Sequence, residues 1–172
     1  AGNRAIVTSY TRRFGKTPFM VRGLGKKGGK SATVQPLTRV ELVCNYREKN
    51  QVQSLSTISI KPDSAFSGHP LKGAVSMFLA EVLYKSLREE SPDEELYDFL
   101  DQALNYFSND DFSPNFHLIL LLKLTRFFGF SPAGQWNEKE PYFDLLNGYY
   151  TDDKNSSLHT LNSNHSQFFY KL

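Results

Sequence analysis

Cysteine is almost missing from this sequence: Cys44 stands alone among 172 residues. One thiol excludes an internal disulfide and any zinc site caged by cysteines, and it fits a reducing cytoplasm. Long apolar runs are missing too. The nearest, FHLILLLKLTRFFGF from Phe116, is interrupted by Lys123 and Arg126, whereas a membrane-spanning helix needs about 18 uninterrupted apolar residues. No signal-peptide pattern opens the sequence. The most informative scarcity is of acid in the first third. Residues 1–61 hold twelve Lys and Arg against only Glu41 and Glu48, a balance of +10, while residues 62–172 hold eight against sixteen, a balance of −8. The overall net charge of +2 therefore conceals a basic segment followed by an acidic one. Such a surplus of positive charge creates a field that draws polyanions, of which nucleic acid is the commonest in a cytoplasm. The alternatives are that the basic segment docks on the chain's own acidic segment or is a solvated surface, and, for function, that it docks on an acidic partner protein.

The stretch GLGKKGGKSAT at 23–33 carries the Gly-Lys-Ser tail of a phosphate-binding P-loop, but its spacing fails. That motif needs a glycine, four residues and then Gly-Lys-Ser/Thr, with a helix behind it. Five positions before Gly29 stands Leu24, and the residues after Ser31 read ATVQPLTRVELVC, a β-like alternation interrupted by Pro36. A basic loop between strands is the better description. Other catalytic patterns are equally poor. There is no G-x-S-x-G, His159 and His165 are six apart with no metal spacing, and His69 and His117 stand alone. Cys44 falls within an expected strand, where burial leaves a thiol inert. No catalytic residue, metal site or cofactor is expected.

Up to about residue 61 the pattern has period two: RAIVTSY (4–10), KTPFMVRG (16–23), QPLTRVELVCNY (35–46) and QVQSLSTISI (51–60), with Glu48–Asn50 as a tight connection. In the third strand Leu37, Val40, Leu42 and Cys44 form most of an apolar row. From about residue 70 the period lengthens to that of helices. The first runs from Pro70 with Leu71, Val75, Phe78, Leu79, Val82 and Leu83 on its stripe. The second has Ser91 as N-cap, Pro92 in first position and a stripe of Leu96, Phe99, Leu100, Ala103, Leu104 and Phe107. The third, capped by Ser113, begun at Pro114 and stopped by Gly129, is apolar nearly all round and reads as the centre of a helical bundle. Further on, Asn147-Gly148 between apolar residues signals a hairpin, and 152–167 is polar and reads as mobile. Four strands do not readily close a barrel, so a fifth is expected upstream.

This order, together with FGK at 14–16, QPL at 35–37 and LTRFFGFSP at 124–132, resembles the RecO family of bacterial recombination mediators, over roughly residues 4–150. FLAEVLY at 78–84 resembles the Bacteroidetes-type variants. The resemblance implies an α+β fold: an OB-fold-like basic β-domain over 1–62, short of the family's first strand, then an acidic helical domain over 69–172 with a small hairpin insertion, short of the family's closing helices. It implies a non-enzymatic protein of the bacterial cytoplasm and nucleoid. That protein binds single- and double-stranded DNA, anneals complementary strands, contacts the C-terminal tail of single-strand-binding protein, and works with RecR to load the recombinase. Some relatives carry a four-cysteine zinc site near the region equivalent to 131–151, which this sequence cannot build.

The residues expected to contact DNA phosphates are Arg12, Arg13, Lys16, Arg22, Lys26, Lys27, Lys30 and Arg39, with Tyr10, Phe14, Phe19 and Tyr46 interleaved as candidate stacking surfaces. On the third helix Lys123 and Arg126, three apart, lie on one face. With Leu124 and Phe127 beside them they suit an acidic partner tail that ends in an aromatic carboxylate. The competing expectation is an internal ion pair with Asp98 or Asp101.

Overall fold

The computed structural model describes residues 4–22, 35–61, 70–88, 91–109 and 113–172. The architecture is α+β, as the change of period predicts, and its residues group into two compact units, Ala1–Pro114 and Asn115–Leu172. The basic and acidic segments meet at 62–69 in sequence, yet the first two helices belong with the basic strands by packing.

In the first unit β1 (Arg4–Thr11) and β2 (Gly15–Arg22) form an antiparallel hairpin with Arg4 opposite Arg22 and Thr11 opposite Gly15. A second antiparallel pair joins β3 (Val40–Cys44) to β4 (Gln53–Ile60), with a register shift at Val43/Cys44. β2 and β4 then run parallel, Phe19 beside Gln53, so the sheet order is β1-β2-β4-β3. The third expected strand is shorter than its period-two pattern because Pro36 and Leu37 turn instead. Leu37 has φ +63°, a conformation uncommon outside glycine, and so leaves the apolar row.

Helix α1 (Pro70–Ser86) starts where its proline predicts, but its buried face is rotated from the expected stripe. Lys72 and Ser76 are buried beside Val75, Leu79 and Leu83, while Leu71 and Phe78 are exposed. Helix α2 (Glu94–Ser108) begins after Asp93, whose carboxylate accepts from the Leu96 N–H at 2.9 Å. A carboxylate at the N-terminus meets both the unsatisfied N–H groups and the helix dipole, and it displaces Ser91 and Pro92 from the capping role. The buried apolar set of this unit includes Phe19, Val21, Leu79, Leu96, Leu100 and Phe107.

Gly15 brings the hairpin close to the Ser91 backbone, just before α2. Its φ is +63°, and a Cβ there would lie 2.7 Å from the Ser91 carbonyl oxygen. Gly15→Ala is therefore expected to cost about 2 kcal/mol, combining left-handed strain with displacement of backbone that cannot swing away. Urea denaturation of the two proteins measures it.

In the second unit α3 spans Phe116–Leu124 with Asn115 in the N-cap position and no side-chain cap. It is shorter than the apolar run suggests at both ends. Turns occupy Pro114–Asn115 and Thr125–Gly129, the latter ending on Gly129 at φ +79°. The Asn147-Gly148 signal does mark a hairpin, between β5 (Tyr142–Asp144) and β6 (Tyr149–Thr151), closed by a Gly148 N–H to Asp144 carbonyl bond of 2.7 Å. A short β7 (Thr160–Leu161) pairs on the other side of β5, and α4 (Ser163–Tyr170) follows. The region read as mobile is thus ordered: Asn162 caps α4 by accepting from the His165 N–H at 2.9 Å. Phe143, 2% exposed, packs its ring 4.8 Å from both Tyr150 and Phe169.

Candidate nucleic-acid interface

Turn chemistry builds an aromatic platform on the first unit. The Thr11 hydroxyl accepts from the Phe14 N–H at 3.1 Å and donates to the Gly15 carbonyl, while the Thr17 hydroxyl donates to the Phe14 carbonyl at 3.1 Å. These bonds fix the Arg12–Phe14 turn. The 45–52 connection is fixed by Gln53, whose buried amide accepts from the Arg47 N–H at 2.9 Å and donates to the carbonyls of Arg47 and Asn50. With both turns held, Phe14 and Tyr46 stack face to face at 3.8 Å between centroids and 8° between planes. Arg13 lies over the Phe14 ring at 5.4 Å, and Arg13, Arg47 and Lys49 are all exposed. Rings backed by cations are what a single nucleic-acid strand uses for base stacking and phosphate neutralisation. At the far end of the hairpin Arg4 and Arg22, both exposed, stand opposite each other. Like charges in that register repel unless an anion lies between them.

Three of the other expected DNA contacts, Arg12, Lys16 and Arg39, are placed differently. Lys16 is 9% exposed and turned inward, its ammonium donating to the Tyr84 carbonyl at 2.9 Å and lying 4.9 Å from the centre of the Tyr84 ring. It holds α1 to β2, which corrects its reading as a surface cation. Arg12 is gripped by Asp98 through both carboxylate oxygens, with Glu94 at 3.7 Å. Arg39 meets Asp101 at 3.7 Å and Asn105 at 3.1 Å. Lys26, Lys27 and Lys30 lie outside the described residues. Among the aromatics, Phe19 is buried in the core, and Tyr10 stacks on Tyr97 at 6.3 Å, so Phe14 and Tyr46 are the pair that remains. Sequence reasoning counted Arg47 and Lys49 in the charge balance without singling them out. Their adjacency to Tyr46 was the available signal. A cleft of about 770 Å³ also opens in this unit, walled by β1, residues 35–42, α1 and α2, and includes Arg12, Lys16 and Arg39.

In the second unit Lys123 and Arg126 are exposed, and Arg126 lies 4.5 Å over the half-buried Phe127 ring. Leu124 is 1% exposed, so it belongs to the interior and offers no surface to a partner. Asp98 and Asp101, the acids considered as internal partners for these cations, are engaged by Arg12 and Arg39.

Comparison with known proteins gives consecutive matches. Residues 3–62 match the family model described as Recombination protein O N terminal, and residues 69–139 match Recombination protein O C terminal. A protein named DNA repair protein RecO from Christiangramia forsetii is 36% identical over 151 residues, covering 86% of this chain and 63% of the relative. That of Bacteroides fragilis is 33% identical over 85% of this chain and 62% of its own length, and that of Azobacteroides pseudotrichonymphae is 27% identical over 99% and 72%. The chain spans just under two thirds of the length of the first two. With both terminal models matched in order and the expected phrases at 14–16, 35–37 and 124–132 inside the matched stretch, the chain belongs to the RecO family.

Proposed function

We propose that this chain acts in DNA repair as a recombination mediator. It binds single- and double-stranded DNA through its basic β-unit, promotes annealing and helps load the recombinase, without chemistry of its own. The observation that carries the reading is the Phe14–Tyr46 stack flanked by Arg13, Arg47 and Lys49. Rings bind bases of any sequence, and cations neutralise phosphates, so the surface suits strands regardless of sequence. Annealing follows from the same physics, because two strands approach each other only when their charge is screened. RecR and the tail of single-strand-binding protein are the proposed protein partners. For the tail, Lys123 and Arg126 would meet the acids and Phe127 the terminal ring. The names of the relatives support the repair role. A cytoplasmic, nucleoid-associated location is part of the same proposal, and no helix among the described residues is long and apolar enough to cross a membrane.

Titration of a labelled single-stranded oligonucleotide at several salt concentrations tests the reading. The triple variant R13A/R47A/K49A is expected to bind at least tenfold more weakly at 0.1 M salt, with a log–log salt slope shallower by about 2, near 0.7 for each lost contact. Unchanged affinity and slope would move the site elsewhere. Absence of DNA binding by the parent chain would favour the protein-adaptor alternative.

A further inference from the structure

Two of the cations that the charge balance marks for phosphate are occupied by carboxylates of α2. Glu94, Asp98, Asp101 and Asn105 recur at spacings of four, three and four and so share one helix face. Arg12, from the β1–β2 turn, makes a two-oxygen contact with Asp98 and reaches Glu94 at 3.7 Å. Arg39, before β3, reaches Asp101 at 3.7 Å and donates to Asn105 at 3.1 Å. From these contacts we infer that the acidic face of α2 is an intramolecular competitor for the polyanion, holding Arg12 and Arg39 in place of phosphates and lowering the affinity of the β-unit for DNA. The inference rests on the DNA-binding reading above.

The physical case is one of like replacing like. The Arg12 and Asp98 side chains are about half exposed, at 48% and 46%, and ion pairs in water are weak because solvent screens them and both side chains lose freedom. A phosphodiester offers the same two-oxygen geometry to a guanidinium and also releases condensed counterions, a gain that a carboxylate does not supply. Arg12 is therefore exchangeable. Arg39, with a side chain only 9% exposed, is held more deeply, so Asp98 contributes more of the competition than Asp101. Affinity then depends on what engages the outer face of α2, since anything that draws off its acids makes Arg12 available.

The test is a set of oligonucleotide titrations on the parent chain, on D98N/D101N, on R12A/R39A and on all four changes together. Asparagine keeps an acceptor for each arginine, and matched circular dichroism melts confirm the fold. D98N/D101N is expected to bind at least fivefold more tightly at 0.1 M salt, with a slope steeper by about 0.7 for each arginine released. The gain should vanish in the R12A/R39A background, where no cation is left to release. E138Q/D152N, which makes the same change in net charge at exposed acids outside α2, should give little gain. Parent-like affinity of D98N/D101N, or a gain that survives loss of both arginines, overturns the competition while leaving DNA binding intact. Failure of both parent and D98N/D101N to bind DNA overturns the functional reading and the competition with it.

Discussion

Replacing Asp144 by Asn is expected to lower the melting temperature of the Asn115–Leu172 unit by about 10 °C or more, the range of a broken buried hydrogen-bond network in a unit of this size. The side chain is fully buried and accepts five hydrogen bonds. Oδ1 takes the N–H groups of Leu146 and Asn147 at 2.8 and 3.0 Å and the Ser157 hydroxyl at 2.9 Å. Oδ2 takes the Asn147 side-chain amide at 2.9 Å and the Ser156 hydroxyl at 2.7 Å. An asparagine amide has no satisfactory orientation here, since its NH2 would face main-chain donors one way and the Asn147 amide the other. The one residue thereby ties the hairpin turn to Ser156 and Ser157.

Acid should expose the same dependence. Burial pushes the Asp144 carboxyl up, but the bonds from Ser156, the side chain and N–H of Asn147, and Ser157 outweigh it and hold the group well below the usual carboxylate range. A carboxyl depressed in the folded state stabilises fully above its unfolded pKa, about 4, and the contribution fades as the pH falls toward the folded value. Melts between pH 7 and pH 2, followed by the fluorescence of the single Trp136, should show this decline in the parent chain and a flatter acid limb in D144N. Equal melting temperatures at pH 7 would show that the network is dispensable.

The second large effect is expected at Lys72, which is 4% exposed. Its ammonium donates to the carbonyls of Ser108 at 3.0 Å and Asn109 at 2.7 Å, so a cation on α1 closes the C-terminal end of α2. It meets acceptors that the helix leaves open and lies at the negative end of the helix dipole. Lys72→Ala removes the buried methylenes and two charge-assisted bonds, and should cost about 3 to 4 kcal/mol in urea denaturation. Lys72→Met restores most of the packing but leaves the carbonyls without this donor, and should recover roughly a third of the loss. Full recovery by Met would mean that Lys72 acts as a hydrophobe alone.

Much of this architecture was legible in residue order. Strands 4–11, 15–22 and 53–60 follow their periodicity closely, because alternation reports which side faces a core, and the start of the helix at Pro70 follows from its proline although its buried face does not follow from its apolar stripe. Three kinds of information were not local. Capping was misassigned at both Ser-Pro sites: Asp93 won the cap of α2 with a carboxylate, and the Ser113-Pro114 start gave way to Asn115. The helix Ser163–Tyr170 was missed because its polar lead-in, NSNHSQ, carries little apolar signal; Asn162 caps it, and the Ser166 hydroxyl accepts from the Phe143 N–H at 2.8 Å. Charge count identified a basic segment but not the direction of each cation. Lys16 turns inward to a carbonyl, and Arg12 and Arg39 turn to α2, whereas Arg13, Arg47 and Lys49 face solvent around the stacked rings.

The parallel join of β2 to β4 has a kinetic consequence. The hairpins β1–β2 and β3–β4 form from neighbours in sequence, but Phe19 meets Gln53 across 34 positions, so that join carries the largest loop-closure entropy of the sheet and is the natural late step in its assembly. The penalty grows only logarithmically, by about 0.6 kcal/mol for each doubling of the loop. A change of a few residues in the sequence separation between β2 and β3 therefore alters this closure term little, leaving that separation a weak lever on the stability of the sheet.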